Sequence, residues 1–437
     1  MLAVMASGIE AASPLSELGT AFALTATALI FLQFLSSGRY EGLSGRVGID
    51  RTMGFHRIAA YVLLAFVLLH PLSYSANTFL ADPVAAWHRL TGMLASNRLR
   101  TGVLAMVGLI VMVGVATIRT RPFMRYEYWR VSHGLLAIAV AGLTLHHALA
   151  SGIYSTGFPL QVVWFLFAVV AVGSLGLVYL VRPWRMWREN WQVERVNPLA
   201  EGVWEMILRG PDTTRLAFRA GQFIWMTLAP NRPPFHDHPF SIASAAADLP
   251  RLRLVIREAG DCTNDFSQVE PGRRVAIDGP HGSFVLPKGN KSVVMVAGGV
   301  GIAPLLGMLE EAAANRDPRS FRFLYVAREP AALAGVERLR ELQSRLDLSL
   351  RYLVDELAGE SGYAVGPVRA EHITEMLRDA EPEDVTALVC GPGPMMEVAT
   401  DALLAAGVPA DSIRYHHAQE PKVRAAIVGY LVSMSVR

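Results

Sequence analysis

Two apolar stretches of membrane length, each carrying a pair of histidines, constrain this chain more than any other feature. The first reads Gly54-Phe55-His56-Arg57-Ile58 through Leu69-His70-Pro71. The second reads Trp129-Arg130-Val131-Ser132-His133-Gly134 through Leu145-His146-His147-Ala148. His56 and His70 are 14 positions apart, and so are His133 and His147. In an α-helix that step rises about 21 Å and stops about 40° short of four turns, so both rings leave one face. Ionisable side chains are costly in hydrocarbon, and they mark function when they occur there. Two such helices side by side offer imidazoles at two matching heights, enough to hold two stacked metal macrocycles. A single membrane histidine is more simply a hydrogen-bonded packing residue, but four at matched depths make coincidence a poor explanation.

Five apolar spans are expected, at Leu18–Leu35, Gly54–Tyr74, Thr101–Ile118, Tyr128–Leu149 and Pro159–Val181. Each is near the ~20 residues that a bilayer requires. The 52% hydrophobic content is high for a soluble protein. The excess lies in residues 1–181, whereas residues 190–424 have an ordinary globular composition. A net charge of +2 with no basic run suggests no nucleic-acid partner. The two cysteines, Cys262 and Cys390, both fall in the water-soluble half, so no disulfide framework is expected. The N-terminus lacks the Lys or Arg of a signal peptide, so residues 1–36 read as mature protein. A chain of 437 residues should form two or three domains.

The arginines orient the spans. Arg39, Arg46 and Arg51 follow the first, Arg119, Arg121 and Arg125 follow the third, and Arg182, Arg185 and Arg188 follow the fifth. Arg89, Arg98 and Arg100 on the second connection pull the other way but are outnumbered. The positive-inside bias puts the N-terminus outside and everything after Arg182 in the cytoplasm, as in a plasma (inner) membrane protein. His56 should then face His133 near the cytoplasmic side, and His70 should face His147 near the outer side. A 13-residue step turns His146 about 140° away from His133, which favours His147, while a bulge would reverse the choice. His88 is expected in a solvated outer loop. Arg57 and Arg130 suit haem propionates and suit interfacial positions equally.

After the spans, Arg182-Pro183-Trp184-Arg185-Met186-Trp187-Arg188 reads as an interfacial collar. Short β-type runs follow at Trp191–Val196, Val203–Leu208, Gln222–Leu228, Arg253–Arg257 and Arg274–Asp278, as in a small antiparallel barrel. On it, His238-Pro239-Phe240-Ser241 gives a hydroxyl and a strand backbone suited to a flavin edge. Gly260-Asp261-Cys262-Thr263 reads as a tight turn into a helix start, which suits a pyrophosphate. Each motif alone is equally an ordinary strand or a capped helix. The third section opens with the buried run Ser292–Ala297. Gly298-Gly299-Val300-Gly301-Ile302-Ala303-Pro304 then turns into a helix with Pro304 at its first position. Strand, glycine turn and helix make a phosphate-binding unit that lacks the third glycine and the acid of the usual dinucleotide fingerprint. Phe321–Ala327 ends in Arg328, which suits a ribose 2′-phosphate or simple solvation. Cys390-Gly391-Pro392 closes another strand on the same sheet edge.

In this order, the motifs resemble the ferric reductase/NADPH oxidase superfamily, a transmembrane cytochrome b fused to a ferredoxin-reductase-type module. The resemblance runs over about residues 18–417. It implies a membrane α-helical bundle at 1–184 and a soluble FAD-binding β-barrel at 190–288. An α/β nucleotide-binding domain at 289–424 and an apolar tail at 425–437 complete the chain. It also implies two b-type haems, FAD, and NADPH or NADH. His238 to Ser241 would contact the flavin and Gly260 to Thr263 would hold its phosphates. Gly298 to Pro304 would bind nucleotide phosphates, with Cys390 near the nicotinamide. Family members commonly carry a helix before Leu18 and end in an aromatic over the flavin, where this chain has His416-His417-Ala418.

The expected activity is electron transfer from cytoplasmic NAD(P)H through FAD and two haems to a small outer acceptor, oxygen or ferric iron. Asp82 is the lone outer-loop acid, and the nearby arginines suit superoxide and anionic ferric chelates equally. Beyond the lipid bilayer, no feature calls for an obligate protein partner. The competing class is a membrane-anchored haem- or nucleotide-binding sensor. The intact glycine turns and Cys390 speak against it.

Overall fold

The computed structural model describes residues 13–36, 49–118, 126–151, 154–228, 237–258, 266–289, 291–355 and 363–417. Helix α1 spans Pro14–Leu35, with Pro14 in its first turn and the Ser13 hydroxyl accepting from Ser16 N–H. Helix α2 spans Ile49–Ala81 and carries Pro71 inside it, which removes one backbone hydrogen bond. It outruns the expected end at Tyr74. A new helix, α3 (Pro83–Ala95), follows at once. Asp82 caps it, its carboxylate accepting from Val84 and Ala85 N–H at 2.9 and 3.1 Å. His88 therefore sits on a helix rather than in the expected loop. Helices α4 (Arg100–Ile118), α5 (Tyr126–Ser151) and α6 (Phe158–Gly176) come next. A π-turn at Leu177–Val181 then leads into the short helix α7 (Arg182–Arg188), where the collar was expected.

Five of these helical segments are long and apolar enough to cross a membrane. Their buried seam joins Ala26, Ile30 and Phe31 to Leu63, Leu109, Val140, Ala141 and Ala171. Large apolar side chains such as Leu135, Phe165 and Val172 point outward instead. Without a hydrophobic drive between helices in lipid, small residues let backbones approach. A Cβ at Gly19 of α1 would lie 3.1 Å from Ser73 Cβ of α2, and one at Gly108 of α4 would lie 2.9 Å from Val140 Cγ2 of α5.

A second compact unit begins at Arg185. Its first part has strands β1 (Trp191–Ala200), β2 (Val203–Arg209), β3 (Phe223–Thr227), β4 (His238–Ser241), β5 (Arg251–Arg257) and β6 (Arg274–His281). They form an antiparallel sheet in the order β4-β3-β6-β1-β2-β5. An Ile242–Leu254 bridge and the 2.8 Å bond from Ala243 N–H to Arg253 O curl it into a barrel. Trp191, Met206, Leu208, Ile224 and Phe266 fill the interior.

The second part alternates strands and helices: β7 (Ser292–Gly298), α8 (Ile302–Ala314), β8 (Phe321–Ala327), α9 (Val336–Gln343), β9 (Leu348–Val354), β10 (Ala364–Val365), α10 (Ala370–Leu377), β11 (Val385–Gly391), α11 (Gly393–Ala405) and β12 (Ile413–His417). All neighbouring strands pair in parallel, in the order β10-β9-β8-β7-β11-β12. Helices α8 and α9 cover one face, and α10 and α11 the other. The order reverses between β7 and β11, the switch point at which such sheets bind ligands. Glu310 of α8, only 4% exposed, ties the two parts together by bonding Arg253 of β5 at 3.0 Å and also Arg338 of α9. Gly307 makes that approach possible, since a Cβ there would come within 2.6 Å of Ile242 O.

Candidate functional site

In the bundle, the rings of His56 and His133 face each other with centroids 6.5 Å apart and planes at 60°. A metal bonded to an imidazole nitrogen about 2 Å away on each side sets ring centres about 6 Å apart. The observed gap fits that demand. One level away, His147 lies within electrostatic reach of His70. Its ring occupies space left by Gly102 of α4, where a Cβ would fall 2.7 Å from Nδ1 and Cε1. His147 Nδ1 is buried and has no hydrogen-bond partner among the described residues. His146 is exposed, with Nδ1 3.3 Å from Thr101 Oγ1. Helix α1 reaches both α2 histidines: Ser36 Oγ is 3.1 Å from His56 Nδ1, and Gly19 O is 2.9 Å from His70 Nδ1. Among the described residues no group of three or more His, Cys, Asp or Glu stands ready for a metal ion.

Beside His70 lies a polar network that the sequence reading missed. Tyr154 donates to the Glu17 carboxylate at 2.9 Å, and the Tyr74 hydroxyl is 2.7 Å from Thr20 Oγ1. Glu17 and Tyr154 are 137 positions apart, and no local pattern announces their contact.

On the barrel, β4 pairs with β3 so that Ser241 lies opposite Phe223 and Pro239 opposite Trp225. Strand alternation splits the motif. Pro239 is exposed and Ser241 half-buried, whereas Phe240 is buried, its ring 5.9 Å from that of Phe266 in an edge-on contact. Phe240 thus presents backbone rather than ring to the outside, and His238 is half-buried at the strand's start. Gly260, Asp261, Cys262 and Thr263 lie outside the described residues. The strand before them is β5, and only a 3₁₀ turn at Phe266–Gln268 follows. Ala418 and the 425–437 tail also lie outside. The last described strand instead brings His416 onto the barrel, its ring stacked on Phe284 at 5.5 Å and on Phe223 at 6.4 Å.

At the switch point, β7 ends at Gly298, and Gly299–Gly301 make a 3₁₀ turn with Gly299 at φ +53°. Helix α8 begins at Ile302, so Pro304 is its third residue, not its first; it still falls where the helix leaves backbone N–H groups unbonded. Val300 is half-buried, and Ile302, Ala303 and Pro304 are buried. The two Gly turns touch. A Cβ at Gly301 would lie 2.3 Å from Cys390 O, and one at Gly391 would lie 3.0 Å from Gly298 N. Pro392 Cδ stands 2.7 Å from where a Gly298 Cβ would be. Tyr325 of β8, fully buried, holds the turn from beneath by donating to Gly299 O at 3.2 Å while accepting from Ala334 N–H at 3.0 Å. Burial pushes its phenol well above the usual range. Cys390 is 1% exposed, and burial pushes its thiol up to about 12. Arg328 is exposed one residue past the end of β8, on the same edge as the turns.

Three family models match the chain in this order. Residues 22–144 match the ferric reductase like transmembrane component, residues 188–284 an FAD-binding domain, and residues 295–401 an oxidoreductase NAD-binding domain. The chain has the ferric reductase/NADPH oxidase-type architecture. It is an integral membrane protein that joins a ferric reductase-type membrane domain to FAD-binding and NAD-binding domains. A propane 2-monooxygenase reductase component of Rhodococcus jostii is 27% identical over 241 residues, covering 53% of this ferric reductase-type chain and 63% of that protein. A flavohemoprotein of Pseudomonas aeruginosa is 27% identical over 236 residues, covering 52% of the chain and 59% of that protein. This chain therefore spans less than two thirds of the length of either relative. Among solved structures, an Amycolatopsis cytochrome P450 reductase is 23% identical with a TM-score of 0.47, covering 52% of this chain and 69% of that one.

Proposed function

We propose that the protein is a transmembrane flavocytochrome that passes electrons from cytoplasmic NAD(P)H, through FAD and two b-type haems, to oxygen or ferric iron on the outer side. The observation that supports this most is the 6.5 Å separation of the His56 and His133 ring centres on two apolar helices. When bound, the nicotinamide supplies a hydride, the flavin parts the electron pair, and haem iron carries single electrons. Everything else is positioning by this chain. His56 with His133, and His70 with His147, would hold the two haems from opposite sides, and Gly102 leaves room for the His147 ring. Pro239 and Ser241 offer the outward face of β4 to the flavin, and Gly260 to Thr263 would hold its phosphates. The Gly299–Gly301 turn and the α8 N-terminus offer N–H groups and a favourable dipole to the nucleotide phosphates. Arg328 at the adjoining strand end suits a 2′-phosphate, which favours NADPH. The arginine distribution supports an outside N-terminus and cytoplasmic nucleotide domains.

The test is anaerobic addition of NADPH to the purified protein in detergent. A b-type absorption band should appear on reduction, and admitting air or a ferric chelate should bleach it. A flavin band that bleaches while no haem band appears overturns the proposal. Sensitivity of the coupled assay to superoxide dismutase separates oxygen from iron as acceptor.

A further inference from the structure

Each α2 histidine has one ring nitrogen engaged by α1, and the two engagements differ in kind. Gln33 donates through Nε2 to His56 O at 3.0 Å. Ser36 Oγ donates to Gln33 Oε1 at 2.7 Å and stands 3.1 Å from His56 Nδ1. With the Ser36 proton donated to Gln33, at Oε1 or at the 3.2 Å main-chain carbonyl, the hydroxyl accepts from His56. In that arrangement Nδ1 of His56 carries the ring proton, and Nε2 is left as the electron-pair donor. At the other level a backbone carbonyl, Gly19 O, 2.9 Å from His70 Nδ1, imposes the same tautomer because a carbonyl can only accept. Gly19 brings α1 close enough to do so, since a Cβ there would press on Ser73 Cβ at 3.1 Å and His70 O at 3.3 Å. Ser36 is 5% exposed, so water does not substitute for its hydroxyl freely.

We propose that α1 is the positioning helix of both metal levels, and that Ser36 and Gln33 form a hydroxyl–amide relay that sets the donor strength of His56 independently of His70. The inference rests on the bis-imidazole reading above. An acceptor on the far ring nitrogen fixes the ring and makes the ligating nitrogen more basic, which stabilises the oxidised metal. Ser36 and Gln33 touch neither metal nor substrate; they act through His56. A relay whose hydroxyl already donates is also a better acceptor than an isolated serine.

The test is a spectroelectrochemical titration of haem midpoint potentials in the intact protein, comparing wild type with Ser36→Ala, Ser36→Thr and Gln33→Leu. Ser36→Ala and Gln33→Leu should each raise one of the two potentials and leave the other in place, while Ser36→Thr keeps both near wild type. If Ser36→Ala sheds one haem while Ser36→Thr keeps it, the hydroxyl is again identified as the positioning group. Identical potentials and haem content in Ser36→Ala, Ser36→Thr and wild type overturn the proposal. So does a shift of both potentials together. A wild-type protein that holds no haem defeats the underlying reading instead, and the two failures are thus distinct.

Discussion

At the residue scale, chemistry follows from which side of an element each group occupies. Arg328 is exposed one residue past the carboxyl end of β8. Arg328→Ala should raise KM for NADPH by about tenfold, the loss of one charged contact of roughly 1.4 kcal/mol, and leave KM for NADH nearly unchanged. Steady-state assays with both nucleotides check this. Cys390 is the opposite case. Burial raises its thiol from an ordinary 9.0 to about 12, so the fold favours the neutral form. Its contribution to stability is whole below pH 9.0 and is lost as pH rises toward about 12. Cys390→Ala should therefore flatten the alkaline decline of thermal stability between those limits, although Tyr325, also raised by burial, leaves a remainder. In the native protein the Cys390 thiol should also resist alkylation at neutral pH. The sequence motifs marked Arg328 and Cys390, which the fold sets at the carboxyl ends of β8 and β11. They could not say that the Phe240 ring turns inward or that Tyr325 props the glycine turn, because both depend on partners brought together only by folding.

At the element scale, tight approaches decide what joins to what. Glu310 is buried between arginines from the barrel and from α9. Glu310→Ala strands both cations and should cost about 3–5 kcal/mol, seen as earlier release of flavin in a thermal melt. Glu310→Gln, which keeps a hydrogen-bond acceptor, should cost less. The membrane helices were legible because lipid demands about 20 apolar residues whatever the neighbours are. Helix α3 was not foreseen, although Asp82-Pro83 is a cap followed by a first-turn proline, because the segment reads only as a connection between two spans. Gly102 and Gly19 carry no local signal at all. Each is glycine because of a side chain on another helix, His147 for one and Ser73 for the other.

At the scale of the whole molecule, the chain divides its physics between two solvents. The bundle turns large apolar side chains outward and keeps His56, His70, His133 and His147 half-buried, while His146 is exposed. The second unit buries two apolar layers around a parallel sheet and leaves the glycine turns of that sheet at one edge. The division between the two was readable from composition, since the apolar excess stops near Val181. A 14-residue step on a straight helix preserves the face and predicts pairing of the histidines by height, and the His56 and His133 rings lie 6.5 Å apart. The stacking of His416 on Phe284 and Phe223 could not be read from the sequence, because it joins segments far apart along the chain. The central claim is that neighbouring helices present two levels of facing imidazoles to two haems. The measurement that tests it most directly is haem bound per chain in the purified wild type and in His56→Ala and His70→Ala. Two haems in the wild type and one in each variant is the expected result, whereas one or none in the wild type, or no loss in either variant, contradicts the account.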